Sequence, residues 1–154
     1  MAKREVETPQ DMMKLVGQEI GVSDWVAVTQ DRINQFADAT GDHQWIHVDV
    51  EKAKKEMPDG KTIAHGYLTL SLIPMFGHDI LQIKKVSRGL NYGCNKVRFT
   101  NTVPAGSRLR ARQKLLAADP MPGNGVRMTY EWTIEREGAE KPACIAETMS
   151  IAYA

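Results

Sequence analysis

Between residues 63 and 76 the chain is apolar on most sides of a helix, with Ile63, Ala64, Leu68, Leu70, Leu72, Ile73, Met75 and Phe76 spread around it. A helix that is hydrophobic all round must be buried by its surroundings. This one falls short of the ~20 apolar residues of a membrane span, so its cover has to come from the protein. Pro74 and Gly77 mark its expected end. From Val86 onward the periodicity changes. Val97 and Phe99 alternate with Lys96, Arg98 and Thr100, and Leu109, Ala111 and Leu115 with Arg108, Arg110, Arg112 and Lys114. Val126, Met128, Tyr130, Trp132 and Ile134 repeat the pattern, and Cys144 to Tyr153 reads as a last strand. Gly89 to Gly93, Pro104 to Gly106, Pro120 to Gly125 and Glu137 to Glu140 punctuate the run as turns or loops. Such alternation gives an antiparallel meander with one buried face. Helices come first and strands second, so the class is α+β. The simplest arrangement is an antiparallel sheet wrapped around the long apolar helix.

The 154 residues are expected to form one domain. Residues 1–22 read as an N-terminal helical extension, opened by Thr8 as cap and Pro9 in the first turn and ended by Gly17 or Gly21. Trp25 to Val28 reads as a strand. Thr29 then caps a helix carrying Ile33, Phe36, Ala37 and Thr40, and Gly41 stops it. Asp49 caps a further short helix that ends before Pro58-Asp59-Gly60.

A net charge of +1, with acids and bases interspersed, lacks the concentrated basic face of nucleic-acid binding. Cys94 and Cys144 form no metal or disulfide pattern and are expected to be thiols, with a cross-strand pairing left open. With no signal-like leader and no spanning segment, the expected location is the cytoplasm, away from membranes.

The chemistry concentrates in Gly41-Asp42-His43-Gln44-Trp45-Ile46-His47 and in Thr62-Ile63-Ala64-His65-Gly66-Tyr67. Asp42 sits just past a helix end and His47 in an irregular segment between two helices, so carboxylate and imidazole could converge on one water. Histidine works as a base near neutral pH with little tuning, although each residue taken singly also reads as a turn cap or a core histidine. Gly66, at the start of the apolar helix, offers an N–H without an intrahelical partner. An oxygen gaining charge in a reaction could rest on it. His65 has apolar neighbours and reads either as a backbone-bonded structural residue or, with Gln44, Trp45, Thr62 and Ile63, as part of a substrate-binding set. His43 is expected to face solvent. A facial metal set of Asp42, His47 and Asp49 is the weaker alternative, and no metal or cofactor is expected. Arg108, Arg110 and Arg112 share a strand face that is either solvated or a phosphate site.

These residues resemble the MaoC-like dehydratase family, which includes (R)-specific enoyl-CoA hydratases and nodulation protein N-like proteins. The family pattern is Gly-Asp-x-Asn-Pro-[Ile/Leu]-His, followed by Ile-x-His-Gly. Gly41, Asp42, Ile46 and His47 match the first piece; Ile63, His65 and Gly66 match the second. Gln44-Trp45 replaces Asn-Pro, the form of the nodulation protein N-like branch, and Trp45 puts the pocket shape in question. The resemblance runs from about Ser23 to the C-terminus. It implies a hot-dog fold and a homodimer with sheets joined edge to edge. It also implies hydration of trans-2-enoyl thioesters of coenzyme A or acyl carrier protein to (R)-3-hydroxyacyl thioesters. Asp42, His47 and Gly66 would be the catalytic residues. A thioesterase of the same fold and a non-catalytic acyl-binding subunit are the alternatives.

Overall fold

In a computed structural model, which describes residues 3–154, the long helix and the sheet divide the chain as the periodicity implies. Strands β1 (Arg4–Val6), β2 (Glu19–Val22) and β3 (Val26–Ala27) precede the helices α1 (Gln30–Thr40), α2 (Trp45–Val48), α3 (Val50–Glu56), α4 (Gly66–Ser71) and α5 (Ile73–Ile80). Strands β4 (Leu81–Ile83), β5 (Arg88–Arg98), β6 (Arg108–Met121), β7 (Gly125–Arg136) and β8 (Cys144–Tyr153) follow. The main sheet runs β2-β6-β7-β8-β5, all antiparallel, with β3 also on β6.

Residues 3–22 depart from the expected helical extension. They hold one 3-10 helix, Pro9–Leu15, between two strands. Thr8 and Asp11 form a capping box there, each side chain taking the other's backbone N–H. β2 joins the main sheet and β1 pairs in parallel with β4, strands too short to leave a periodic signal.

The apolar helix is built in two pieces and runs beyond its expected end. Residues 63–65 are extended and the helix opens at Gly66. Pro74 lacks an N–H, so the hydrogen-bond ladder breaks and a second piece starts at Ile73 with the proline in its first turn, where a missing donor is harmless. Gly77 lies inside that piece rather than at its end, where a Cβ would stand 3.4 Å from the Trp132 ring, in contact range. Leu68, Ile73, Phe76 and Ile80 are buried against Leu109, Ala111 and Leu115 of β6 and Met128, Tyr130, Trp132 and Ile134 of β7. Ile33 from α1 and Met12 from the 3-10 helix close the same core.

Residues 89–93 do not punctuate but lie within β5, whose register shifts between Asn91 and Gly93 and between Cys94 and Lys96. Glycine inside a strand marks such bulges. Pro120 similarly falls within β6, and the turn tightens to Gly123 and Asn124, both at positive φ. The arginine face is solvated, and its guanidiniums are paired with carboxylates. Arg108 meets Glu137 at 3.0 Å, Arg110 meets Glu135 at 3.0 Å, and Arg112 reaches Glu19 at 3.1 Å and also bonds Glu135. No helix among the described residues is long and apolar enough to cross a membrane.

Burial alone would raise the Glu135 carboxyl; Arg112 and Arg110 outweigh it and hold the group below the usual carboxylate range. A depressed carboxylate stabilises the fold above its unfolded value of ~4.3 and loses that contribution as pH falls through its folded value. Glu135→Gln should therefore lower stability by about 1 kcal/mol at pH 7. The gap to wild type should close in acid. Urea melts at both pH values test this, and a gap unchanged in acid contradicts it.

Candidate active site

α1 ends where Gly41 turns left-handed, φ 82, and returns its N–H to the Ala37 carbonyl at 2.8 Å. Asp42 is the next residue. Its carboxylate accepts the Gln44 N–H at 3.3 Å, a local turn that starts α2. His47 thus stands on a single helical turn rather than in an irregular segment, and it is buried. Asp42 remains exposed.

Two contacts fix His47. Gln30 of α1 donates from Nε2 to the His47 carbonyl at 2.8 Å and accepts the Thr62 hydroxyl on its Oε1. The His47 Nδ1 lies 2.7 Å from the Ile63 carbonyl oxygen. A carbonyl only accepts, so Nδ1 carries the proton and Nε2 keeps its lone pair. Burial lowers the His47 pKa most; the Ile63 carbonyl and Asp42 pull it up and His65 pulls it down, leaving it below the ordinary value. Neutral imidazole is the favoured state.

His65 is buried, and it caps α4 by backbone geometry alone. Its ring stacks on His47 with centroids 3.8 Å apart and planes 24° from parallel, and its Nε2 is 3.0 Å from the Asp42 carbonyl oxygen. The same reasoning makes Nε2 the donor and leaves Nδ1 a lone pair, buried and without a partner. An unpaired buried acceptor costs about 1–3 kcal/mol.

Gly66 opens α4, so its N–H is among those with no intrahelical acceptor. A Cβ on Gly66 would fall 2.7 Å from Cδ2 of Phe99, so the ring lies directly on the backbone and only glycine admits it.

The sequence candidates sort clearly. Asp42, His47 and His65 come together, with one ligand-type atom of each within 4.8 Å of the others. Gly66 follows His65 directly. Asp49 instead caps α3 through the Lys52 N–H at 3.0 Å, so it is not the third member of the cluster. The cluster has a metal-like composition, and each imidazole spends one ring nitrogen on a backbone carbonyl, which leaves one lone pair apiece. Thr62 is buried and turned to Gln30, and Ile63 serves through its backbone. Gln44 is exposed; Trp45 is half-buried with the Lys52 ammonium 4.4 Å from its ring centroid. His43 faces solvent and pairs with Asp38 at 3.0 Å. Gln30 carries no sequence mark, because a lone amide early in a helix resembles any solvated residue.

A split helix lying in a curled antiparallel sheet, with its charged site at the helix start, defines a hot-dog protein. The chain belongs to the family described as the MaoC like domain, whose model matches residues 11–134. It is 48% identical over 146 residues to 3-hydroxyacyl-thioester dehydratase Z of Mycobacterium tuberculosis, covering 95% of this chain and 96% of that protein. It is 44% identical to nodulation protein N of Rhizobium leguminosarum bv. viciae, over 92% of this chain and 88% of the other. Among solved structures, unliganded R-hydratase PhaJ1 from Pseudomonas aeruginosa superposes with a TM-score of 0.67 at 25% identity, covering 90% of this chain and 81% of that one. The chain is an enzyme of the hydratase/dehydratase class.

The electrostatics around His47 have a direct readout. Its imidazole should titrate below the ordinary ~6.5, followed by ring-nitrogen NMR. Titration above that value would contradict the burial and tautomer assigned to it.

Proposed function

We propose that the protein catalyses reversible hydration of trans-2-enoyl thioesters to (R)-3-hydroxyacyl thioesters. The observation that carries this reading is the convergence of the Asp42 carboxylate and the unprotonated Nε2 of His47 beside the helix that opens at Gly66. A water between the two groups is oriented by Asp42 and gives a proton to Nε2 as its oxygen bonds to C3. The thioester oxygen gains charge as the C2–C3 double bond opens, and the Gly66 N–H receives it. The proton returns to C2 on the same face, so one water is added and nothing is left over. The (R) hand rests on the family resemblance. The fixed His47 tautomer supports this assignment, because a base must present a lone pair toward the water it deprotonates.

The acyl thioester, of coenzyme A or acyl carrier protein, is the proposed substrate. Asp42 is open to solvent and so can be reached by the substrate. A homodimer joined along β5 is the proposed assembly. β5 is the edge of the main sheet, nearly every residue on it is exposed, and it carries Leu90 and Tyr92 in the open. Bare edges of this length are normally paired or protected. A cytoplasmic location is proposed on Cys94 and Cys144, which are free thiols, with Cys94 opposite Thr148 rather than Cys144.

Loss of the conjugated-enoyl absorbance with no thiol released is the expected outcome with short- and medium-chain enoyl-CoA. Asp42→Asn and His47→Gln should each lose about a hundredfold or more in rate while staying folded. Thiol release would instead mean thioester hydrolysis, and binding without turnover would mean an acyl-binding subunit. In solution the protein should sediment at twice the 17.2 kDa chain mass. A single-chain mass at micromolar concentration rules out the β5 pairing.

A further inference from the structure

His65 is an odd choice for its place. It is 2% exposed, lies between the Phe36 ring at 4.9 Å and the His47 ring at 3.8 Å, and leaves its Nδ1 unpaired. A phenylalanine would stack as well and bury no polar atom, so packing does not require an imidazole here. What requires it is the bond from Nε2 to the Asp42 carbonyl, 3.0 Å long and spanning 23 positions of sequence. With the Asx-turn bond to Gln44, that bond ties down Asp42, which otherwise sits exposed just past the end of α1.

We infer that His65 is a positioning residue for the Asp42–His47 pair. It fastens the main chain at Asp42 to the start of α4 and backs the His47 ring, so that both reacting groups and the Gly66 N–H are referred to one rigid point. Resting on the hydratase reading above, this assigns His65 a role without contact to substrate. The three elements of the reaction then share one support: Asp42 through its carbonyl, His47 through its ring face, and Gly66 through the peptide that joins it to His65. Misplacement by an ångström is enough to cost about a hundredfold in rate.

The stacking has a second effect. The titratable groups that face His47 are Asp42, which favours its charged form, and His65, which opposes it. With its tautomer fixed by the Asp42 carbonyl, His65 presents no N–H to the His47 ring, and a proton on His47 gains nothing from it.

Three variants separate positioning from mere packing. His65→Phe keeps the ring and removes the tie. His65→Gln keeps a donor near the Nε2 position and removes the ring. His65→Asn is too short to reach the carbonyl. Expected for His65→Phe is a kcat lower by roughly tenfold to a hundredfold with KM changed by less than about threefold. His65→Gln should recover at least about threefold of that loss, and His65→Asn should not. Ring-nitrogen NMR, which needs no turnover, should show the His47 titration moving upward in His65→Phe. Unchanged kcat in His65→Phe overturns the inference, as does His65→Gln falling as far as His65→Asn. If His65→Phe fails to fold, the comparison of Gln with Asn decides alone. Parallel assays of Asp42→Asn and His47→Gln keep the two questions apart: their loss of activity upholds the hydratase reading whatever His65 does.

Discussion

Three extended residues, 62–64, hold the site together. The Ile63 N–H bonds the Ile46 carbonyl at 3.0 Å and the Ile63 carbonyl takes the His47 ring at 2.7 Å, so one residue fastens α2 from both sides. The Ala64 N–H reaches Val103 at 2.7 Å and the Ala105 N–H reaches Thr62 at 2.9 Å, which pins the same segment to the turn ahead of β6. Buried backbone groups must be paired, and here the pairing does a second job. It fixes the direction in which the chain enters α4, and with it the place of His65 and Gly66. Any shift of this segment would move His47, His65 and Gly66 together.

The electrostatics follow from the same geometry. Both buried imidazoles spend their N–H on a backbone carbonyl, Ile63 for one and Asp42 for the other. Neutral carbonyl partners fix a tautomer without supplying a counter-charge. Burial can then keep His47 unprotonated, where a carboxylate in the same place would pull a proton onto the ring. The charged member of the site, Asp42, stays in water instead of being buried beside them. Burying it would have required a paired cation.

Much of this was legible in the sequence because the signals are local. Thr29, Gly41 and Asp49 bound their helices through contacts within three or four residues, and alternation in β6 to β8 reports directly on which face is buried. The errors have a common cause. Pro74, Gly77 and the glycines of β5 were read as breaks, yet a proline is harmless in a first turn, and glycine also sits within elements, as Gly77 does beside the Trp132 ring. Local reading cannot distinguish a glycine that ends an element from one that lies inside it. Gln30 leaves no mark in the sequence, and His65 reads there as either structural or substrate-binding, for a related reason. Their partners are 17, 32 and 23 positions away, so no spacing rule reaches them.

The exposure of Asp42 bears on how water is controlled. A carboxylate open to solvent is hydrated by several exchanging waters, whereas the proposed reaction would need one, held in line with C3. His47 and His65 are already closed off behind the α2 turn and Phe36. Asp42 is exposed, and on the Gly66 side Phe99 is 44% exposed with Tyr67 edge-on at 5.9 Å. On the proposed hydratase reading, the cover would arrive with the substrate. A thioester laid across Phe99 toward the Gly66 N–H would exclude bulk water at the same moment as it polarises its own carbonyl. Binding and activation would then be one event, a reason for Asp42 to be exposed rather than buried.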